Sequence, residues 1–181
     1  TKNTISTVIE NFLGISLNDD YSPEDMITAL ELIMPKLEDL YNTRVRHYVV
    51  KKHTLLVCEQ FEKYAFEFDN KCMNIDLMRL VLAVHDIGKA IDRSTQHEHT
   101  LSLVRELWGN APFTEHEFNL VEVLLRDDHL GSYFQNKYDL SDLKEEIVAA
   151  ATELKMSPLT LLQYKMILYQ CDIASYTEDA G

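Results

Sequence analysis

Apolar residues recur at helical spacing along almost the whole chain, and this period leaves room for little except helix. Val45, Val49, Leu56 or Val57, Phe61, Tyr64 and Phe68 form one such stripe. Ile75, Met78, Val81 and Leu82 form another, and Leu162, Met166, Tyr169, Ile173 and Tyr176 a third. No segment alternates as a half-buried strand would, and no internal repeat is present. Five Gly and four Pro in 181 residues are too few to punctuate many short strands. The spacing predicts helices over 4–13, 23–42, 45–67, 74–88, 98–108, 115–127, 141–155 and 158–176. A polar loop is expected from Lys89 to Gln96, and an irregular stretch between 127 and 141. Ser22-Pro23-Glu24-Asp25 reads as an N-cap followed by a Pro at the first helical position. Thr114-Glu115-His116-Glu117 reads as a capping box. Ser141 and Ser157 mark two further starts, and Gly109-Asn110 a stop. The expected architecture is all-α: one domain over 1–181, a compact multi-helix bundle.

Charge and cysteine usage narrow the function. Thirty acids against 17 bases give a net charge of -13, which repels a phosphate backbone, so no nucleic-acid partner is expected. A small phosphorylated substrate stays open, because a bound cation inverts the local field. Three cysteines without a paired motif suit a reducing, cytoplasmic setting. The clean apolar run Leu80 to Val84 is far too short for a membrane span, so no membrane partner is expected. Oligomeric state is not legible.

The stripes are interrupted by residues that are costly to bury. His53 lies four residues from both Val49 and Val57, where a leucine would serve. His85 continues the stripe of the fourth helix, and Asp86 follows it by about 100°. Asp172 stands beside the inward face of the last helix. A lone buried carboxylate costs several kcal/mol or takes up a proton. A divalent cation removes that penalty, and imidazole with carboxylate suits Mn, Fe, Co, Ni or Zn, with Mg where carboxylates dominate. Four such residues on inward faces point to a central metal site.

The order His53 … His85-Asp86 … Asp172, with Ile87-Gly88-Lys89 after the pair, resembles the HD-domain metal-dependent phosphohydrolases, over residues of about 45–176. The resemblance implies an all-α HD-domain bundle in which His53, His85, Asp86 and Asp172 hold a first metal. It implies a second ion in some members, for which His99 and His129 match the extra ligand positions best. Where some relatives have a His-His pair, this chain has Asp128-His129, so Asp128 is read as a further ligand or as a substrate contact. His97 is read as a solvated histidine at a helix start, and His47 and His116 as surface residues. Lys89 is read as a phosphoryl contact. Arg126 is either a second phosphate contact or an ion-pair partner for the neighbouring acids. Tyr133 and Phe134 either stack on a base or pack in the core.

The function expected from the resemblance is hydrolysis of a small phosphate ester, a nucleotide being favoured, by attack of a metal-activated water. Asp86, Lys89, Asp128 and His129 carry the catalytic roles, Lys89 and Arg126 bind substrate, and one or two divalent ions serve as cofactor. Two alternatives stand beside it. One is an HD-fold di-iron oxygenase using the same ligands, and the other a non-catalytic nucleotide-binding signalling module.

Overall fold

The computed structural model describes residues 21–64, 73–109 and 114–180, with side chains described as far as Tyr176. Its architecture is all-α, with one two-stranded ribbon of two residues per strand. The helix expected at 4–13 lies outside the described residues.

The segment expected as one helix over 23–42 is two. Helix α1 (Pro23–Ile33) starts at Ser22, whose hydroxyl accepts from the Asp25 amide at 3.2 Å. It stops at Met34, and α2 (Lys36–Tyr41) begins after Pro35. Proline has no amide hydrogen and pushes the residue before it out of helical backbone, which is the physical reason for the break. The next start also differs from expectation. Val45 opens no helix: β1 (Arg44–Val45) pairs antiparallel with β2 (Tyr48–Val49), around Arg46 in left-handed backbone at φ 54°. Helix α3 (Val50–Tyr64) follows, and its expected continuation to 67 lies outside the described residues.

Helix α4 (Ile75–Val84) is the centre of the molecule, flanked by α1, α3 and α6 (Glu115–Leu125). Every residue from Leu77 to Val84 is buried, as expected of a stripe that is apolar on all sides. Arg79 is the exception in type. Its guanidinium grips Glu62 of α3 at 2.7 and 2.9 Å and lies over the Tyr21 ring, so the charge is not orphaned. Asn74 fixes the start of α4. Its side chain accepts from the Leu77 amide and donates to Glu117 of α6, while its own amide donates to the Tyr164 hydroxyl.

At its other end α4 stops at Val84, four residues short of the expected boundary. His85 is its cap, and Asp86 (φ -112°, ψ 2°) turns the chain into a 3-10 turn, Ile87–Ala90. That turn packs against α5 (Gln96–Trp108). The contact is closest at Gly88, whose amide donates to the Thr100 hydroxyl at 2.9 Å. A β-carbon there would meet the Gln96 carbonyl oxygen at 2.0 Å and the Thr100 hydroxyl at 2.4 Å. Glycine is therefore required by the approach of α5.

Helix α6 carries the expected capping box between Thr114 and Glu117. The stretch expected to be irregular contains a short helix, α7 (His129–Phe134), capped by Asp128. Helix α8 (Leu140–Leu154) is capped by Asp139, two residues before the expected Ser141. Helix α9 (Pro158–Ala180) starts at Ser157, as expected, and packs along α3. No helix among the described residues is long and apolar enough to cross a membrane.

Gly88→Ala is expected to lower stability by at least about 1–3 kcal/mol, the usual range for overpacking, because backbone rather than a flexible side chain blocks the added carbon. Denaturant unfolding checks this, and a change below about 0.5 kcal/mol would contradict it.

Candidate metal centre

The three elements around the end of α4 deliver four ligand-type side chains to one point. His53 comes from the first turns of α3, His85 and Asp86 from the α4 terminus, and Asp172 from α9. One ligand atom from each lies within 4.8 Å of the other three. The four residues read from separate stripes are therefore brought together. Asp86 reaches the centre by a different route from the one expected. It does not sit 100° round a continuing helix; the helix ends, and the turn at Asp86 swings its carboxylate back.

The contacts close a ring. His53 Nε2 stands 2.9 Å from Asp172 Oδ1 and 3.1 Å from Asp86 Oδ2. His85 Nε2 stands 3.3 Å from each of the same two carboxylates. Ligand atoms about 2.1 Å from an ion and on adjacent octahedral vertices are roughly 3.0 Å apart, so these edges fit a shared cation.

The outer nitrogens decide what the ring needs. His85 Nδ1 donates to the Leu82 carbonyl at 2.7 Å, and a carbonyl can only accept. On His53, Nδ1 faces the Ser175 hydroxyl at 3.2 Å. That hydroxyl already donates to the Asp172 carbonyl at 2.6 Å, so it accepts from His53. Both imidazoles thus carry hydrogen on Nδ1 and turn Nε2 toward carboxylate oxygen. Neutral imidazoles would set lone pair against lone pair. The ring requires either added protons or a cation, and the outer hydrogen bonds are those that orient metal-binding histidines. The donor set fits a divalent ion of the Mn to Zn series.

Titration follows the same geometry. Burial opposes charge on His85, but Asp86 and Asp172 outweigh it and hold its pKa at about 10. His53 is likewise raised: burial acts against it, and hydrogen bonds to Asp172 and Asp86 prevail. Burial would raise Asp172, yet His53 and His85 bring it down to about 2. Asp86 is held well below the ordinary carboxylate range against its burial, by His85, His53 and Lys89. Lys89 contacts both Asp86 oxygens at 3.0 and 3.1 Å and the Tyr176 hydroxyl at 3.2 Å. The tight 3-10 turn brings residues three apart onto one edge, which accounts for the Asp86–Lys89 pair. Tyr176 also stacks on His53, with centroids 4.5 Å apart.

A cleft of about 110 Å³ opens from this centre. His85, Asp86, Lys89 and Asp172 line one part, and Asp127, Asp128, His129, His97 and Lys165 are among the residues that line the remainder. The other expected residues fall at several places around it. His99 does not line the cleft; His97 does, with Nδ1 facing the Leu125 carbonyl at 3.2 Å. The two stand about 200° apart on α5, so only one of them can face inward. His129, expected at a second ion, joins a second group of possible ligands with Asp127 and Glu146. Its Nδ1 lies 2.8 Å from Glu146 and 3.5 Å from Asp127, and its ring stacks on Tyr138. Asp128 lines the cleft but uses one oxygen to cap α7 through the Gly131 amide. Arg126 faces a separate groove with Arg105 and Glu122 and pairs with Asp127 at 3.6 Å, which is its ion-pair reading. Tyr133 and Phe134 lie outside the cleft lining; Phe134 packs on Tyr169.

Three participants escaped sequence reading. Ser175 orients His53, Gln96 lines the cleft, and Lys165 reaches it from α9. The available signal was spacing: Ser175 is three residues after Asp172 and Lys165 seven before it, both on its helical face.

The raised histidine pKa fixes a sign. With folded-state His85 near 10 against an ordinary 6.5, the ring's contribution to stability is full below 6.5 and is lost as pH rises through 10. Asp172, lowered from 3.8 to about 2, contributes above 3.8 and loses its contribution as pH falls through 2. Chelator-treated protein is therefore expected to melt progressively lower from pH 6.5 to 10, and Mn²⁺ to reverse that fall. A melting temperature flat over this range, with and without Mn²⁺, would contradict the assignment. No protein-family model, curated protein or solved structure matches the chain.

Proposed function

We propose that the protein is a metal-dependent phosphohydrolase of HD-domain type, acting on a small phosphate ester. The observation that carries this reading is the closed ring of two imidazole Nε2 atoms and two carboxylates, with both Nδ1 atoms already committed elsewhere. His53, His85, Asp86 and Asp172 would hold the cation. When bound, a divalent ion supplies Lewis acidity, a hydroxide nucleophile at neutral pH and charge neutralisation on phosphoryl oxygens.

The chain's own groups supply the rest. Lys89 is fixed by Asp86 and Tyr176 at the edge of the cleft, where its ammonium can accept a phosphoryl oxygen as partner. Burial pushes the Asp128 carboxyl up in pKa, which suits a group that takes a proton and returns it to a leaving group. Leu124 and Leu125 of α6 line the cleft and are themselves buried, so the wall beside the reacting group is firm. A volume of about 110 Å³ is well below the roughly 300–1,000 Å³ that encloses a whole drug-sized ligand. This favours enclosure of a small ester, or of the phosphoryl end and its near neighbours in a larger one. A nucleotide substrate would place its sugar and base outside the enclosed part.

His85→Ala and Asp86→Ala are each expected to lose bound metal, and with it at least about 10³-fold of phosphate release from a panel of phosphate esters under Mn²⁺, Ni²⁺ or Co²⁺. Elemental analysis and phosphate assays on the same preparations check this. Turnover of a phosphate ester at the original rate in either variant would end the reading. Aerobic consumption of O₂ with iron bound would replace it by an oxygenase.

A further inference from the structure

Along the cleft every charged side chain but one is already engaged. Asp86 and Asp172 face the imidazoles, and Lys89 sits on Asp86. Asp127 accepts from the His129 amide at 3.1 Å, Asp128 from the Gly131 amide at 3.1 Å, and His129 faces Glu146. Lys165 has no hydrogen-bond or ion-pair partner among the described residues, although it lines the same cleft. A half-buried ammonium in that condition is costly unless something anionic meets it.

Its setting supports the same view. Burial and the like charge of Arg126 pull the Lys165 pKa down, and the carboxylates of Asp127, Glu146 and Asp128 lift it too little to compensate. They are near enough to act through space and too far to bond. Lys165 also stands seven residues before Asp172 on one face of α9, a rise of about 10 Å along the helix. The cleft thus has a cation-binding ring with Lys89 at one end and a free ammonium at the other.

We infer that Lys165 binds a second anionic group of the substrate, remote from the phosphoryl group at the ring, so that the substrate is a small phosphate ester bearing a carboxylate or a second phosphate. This rests on the proposed phosphohydrolase site and narrows its substrate class. A simple monophosphate with a neutral remainder would leave Lys165 unpaired, and a doubly anionic one would satisfy both ends. Lys165 is a specificity residue in this account and takes no part in bond breaking.

Calorimetric titration of the Mn²⁺-loaded full chain tests it with non-hydrolysable probes. Methylphosphonate carries one anionic group. 3-Phosphonopropionate, 5-phosphonopentanoate and propane-1,3-bisphosphonate carry two, at different spacings and of both kinds. At least one doubly anionic probe is expected to bind about tenfold or more tighter than methylphosphonate, the worth of one charge-assisted hydrogen bond. Lys165→Met should remove that advantage while leaving methylphosphonate affinity unchanged, which also shows the variant is folded, and Lys165→Arg should retain part of it. The tightest probe identifies the second group as carboxylate or phosphate. If methylphosphonate binds but no second anion improves it, or if the improvement survives Lys165→Met, the inference is overturned and the phosphohydrolase reading stands. If none of the four phosphonates binds, both fall.

Discussion

Two carboxylates and two imidazoles meet in the interior with their hydrogen-bond acceptors turned toward one another. His53 is fully buried and Asp86 is 4% exposed, so water screens these two only weakly. Such a group is untenable without positive charge at its middle. Protons on the two Nε2 atoms are one source, and a metal ion is the other. Everything distinctive about this protein follows from how the chain makes that arrangement unavoidable.

It does so with helix ends and rigid packing. Helix α4 is buried from Leu77 to Val84 and is held at both termini. Asn74 ties its start to α6 and α9, and the Tyr41 hydroxyl donates to the Ala83 carbonyl at 2.6 Å near its end. Its terminus then projects His85 and Asp86 toward α3 and α9, which are packed along one another and carry His53 and Asp172. Gly88 lets α5 approach the turn after the pair, so the same contact that shapes the ring's rim also brings His97 to the cleft. Stability and site geometry share these residues. A change at Gly88 or Asn74 would therefore reach the histidine–aspartate ring without touching any of its four residues.

The part of this legible in the sequence is the part governed by local period. Helical stripes at 50–64, 75–84 and 158–176 show the all-α architecture, and His53, His85 and Asp172 stand out because each occupies a place where a leucine would be cheaper. Capping chemistry placed the starts at Ser22, Thr114 and Ser157. Features set by tertiary approach were not legible. The choice of His97 over His99 depends on which face of α5 meets α6, and a two-residue register decides it. The ribbon at 44–49 has too few residues to show alternation. The break at Met34–Pro35 was legible in principle, since Pro35 cannot continue a helix. Lys165 was invisible for another reason: an unpaired lysine looks like a solvated one until the surrounding partners are seen.

The most direct measurement is anomalous diffraction from crystals of the protein loaded with Mn²⁺ or Co²⁺. The account predicts an ion bonded to Nε2 of His53, Nε2 of His85 and the carboxylates of Asp86 and Asp172, at about 2.0–2.2 Å. A fully loaded protein whose ion lies only at Asp127, His129 and Glu146, or whose central ring retains its direct histidine–carboxylate contacts with no ion among them, would contradict it.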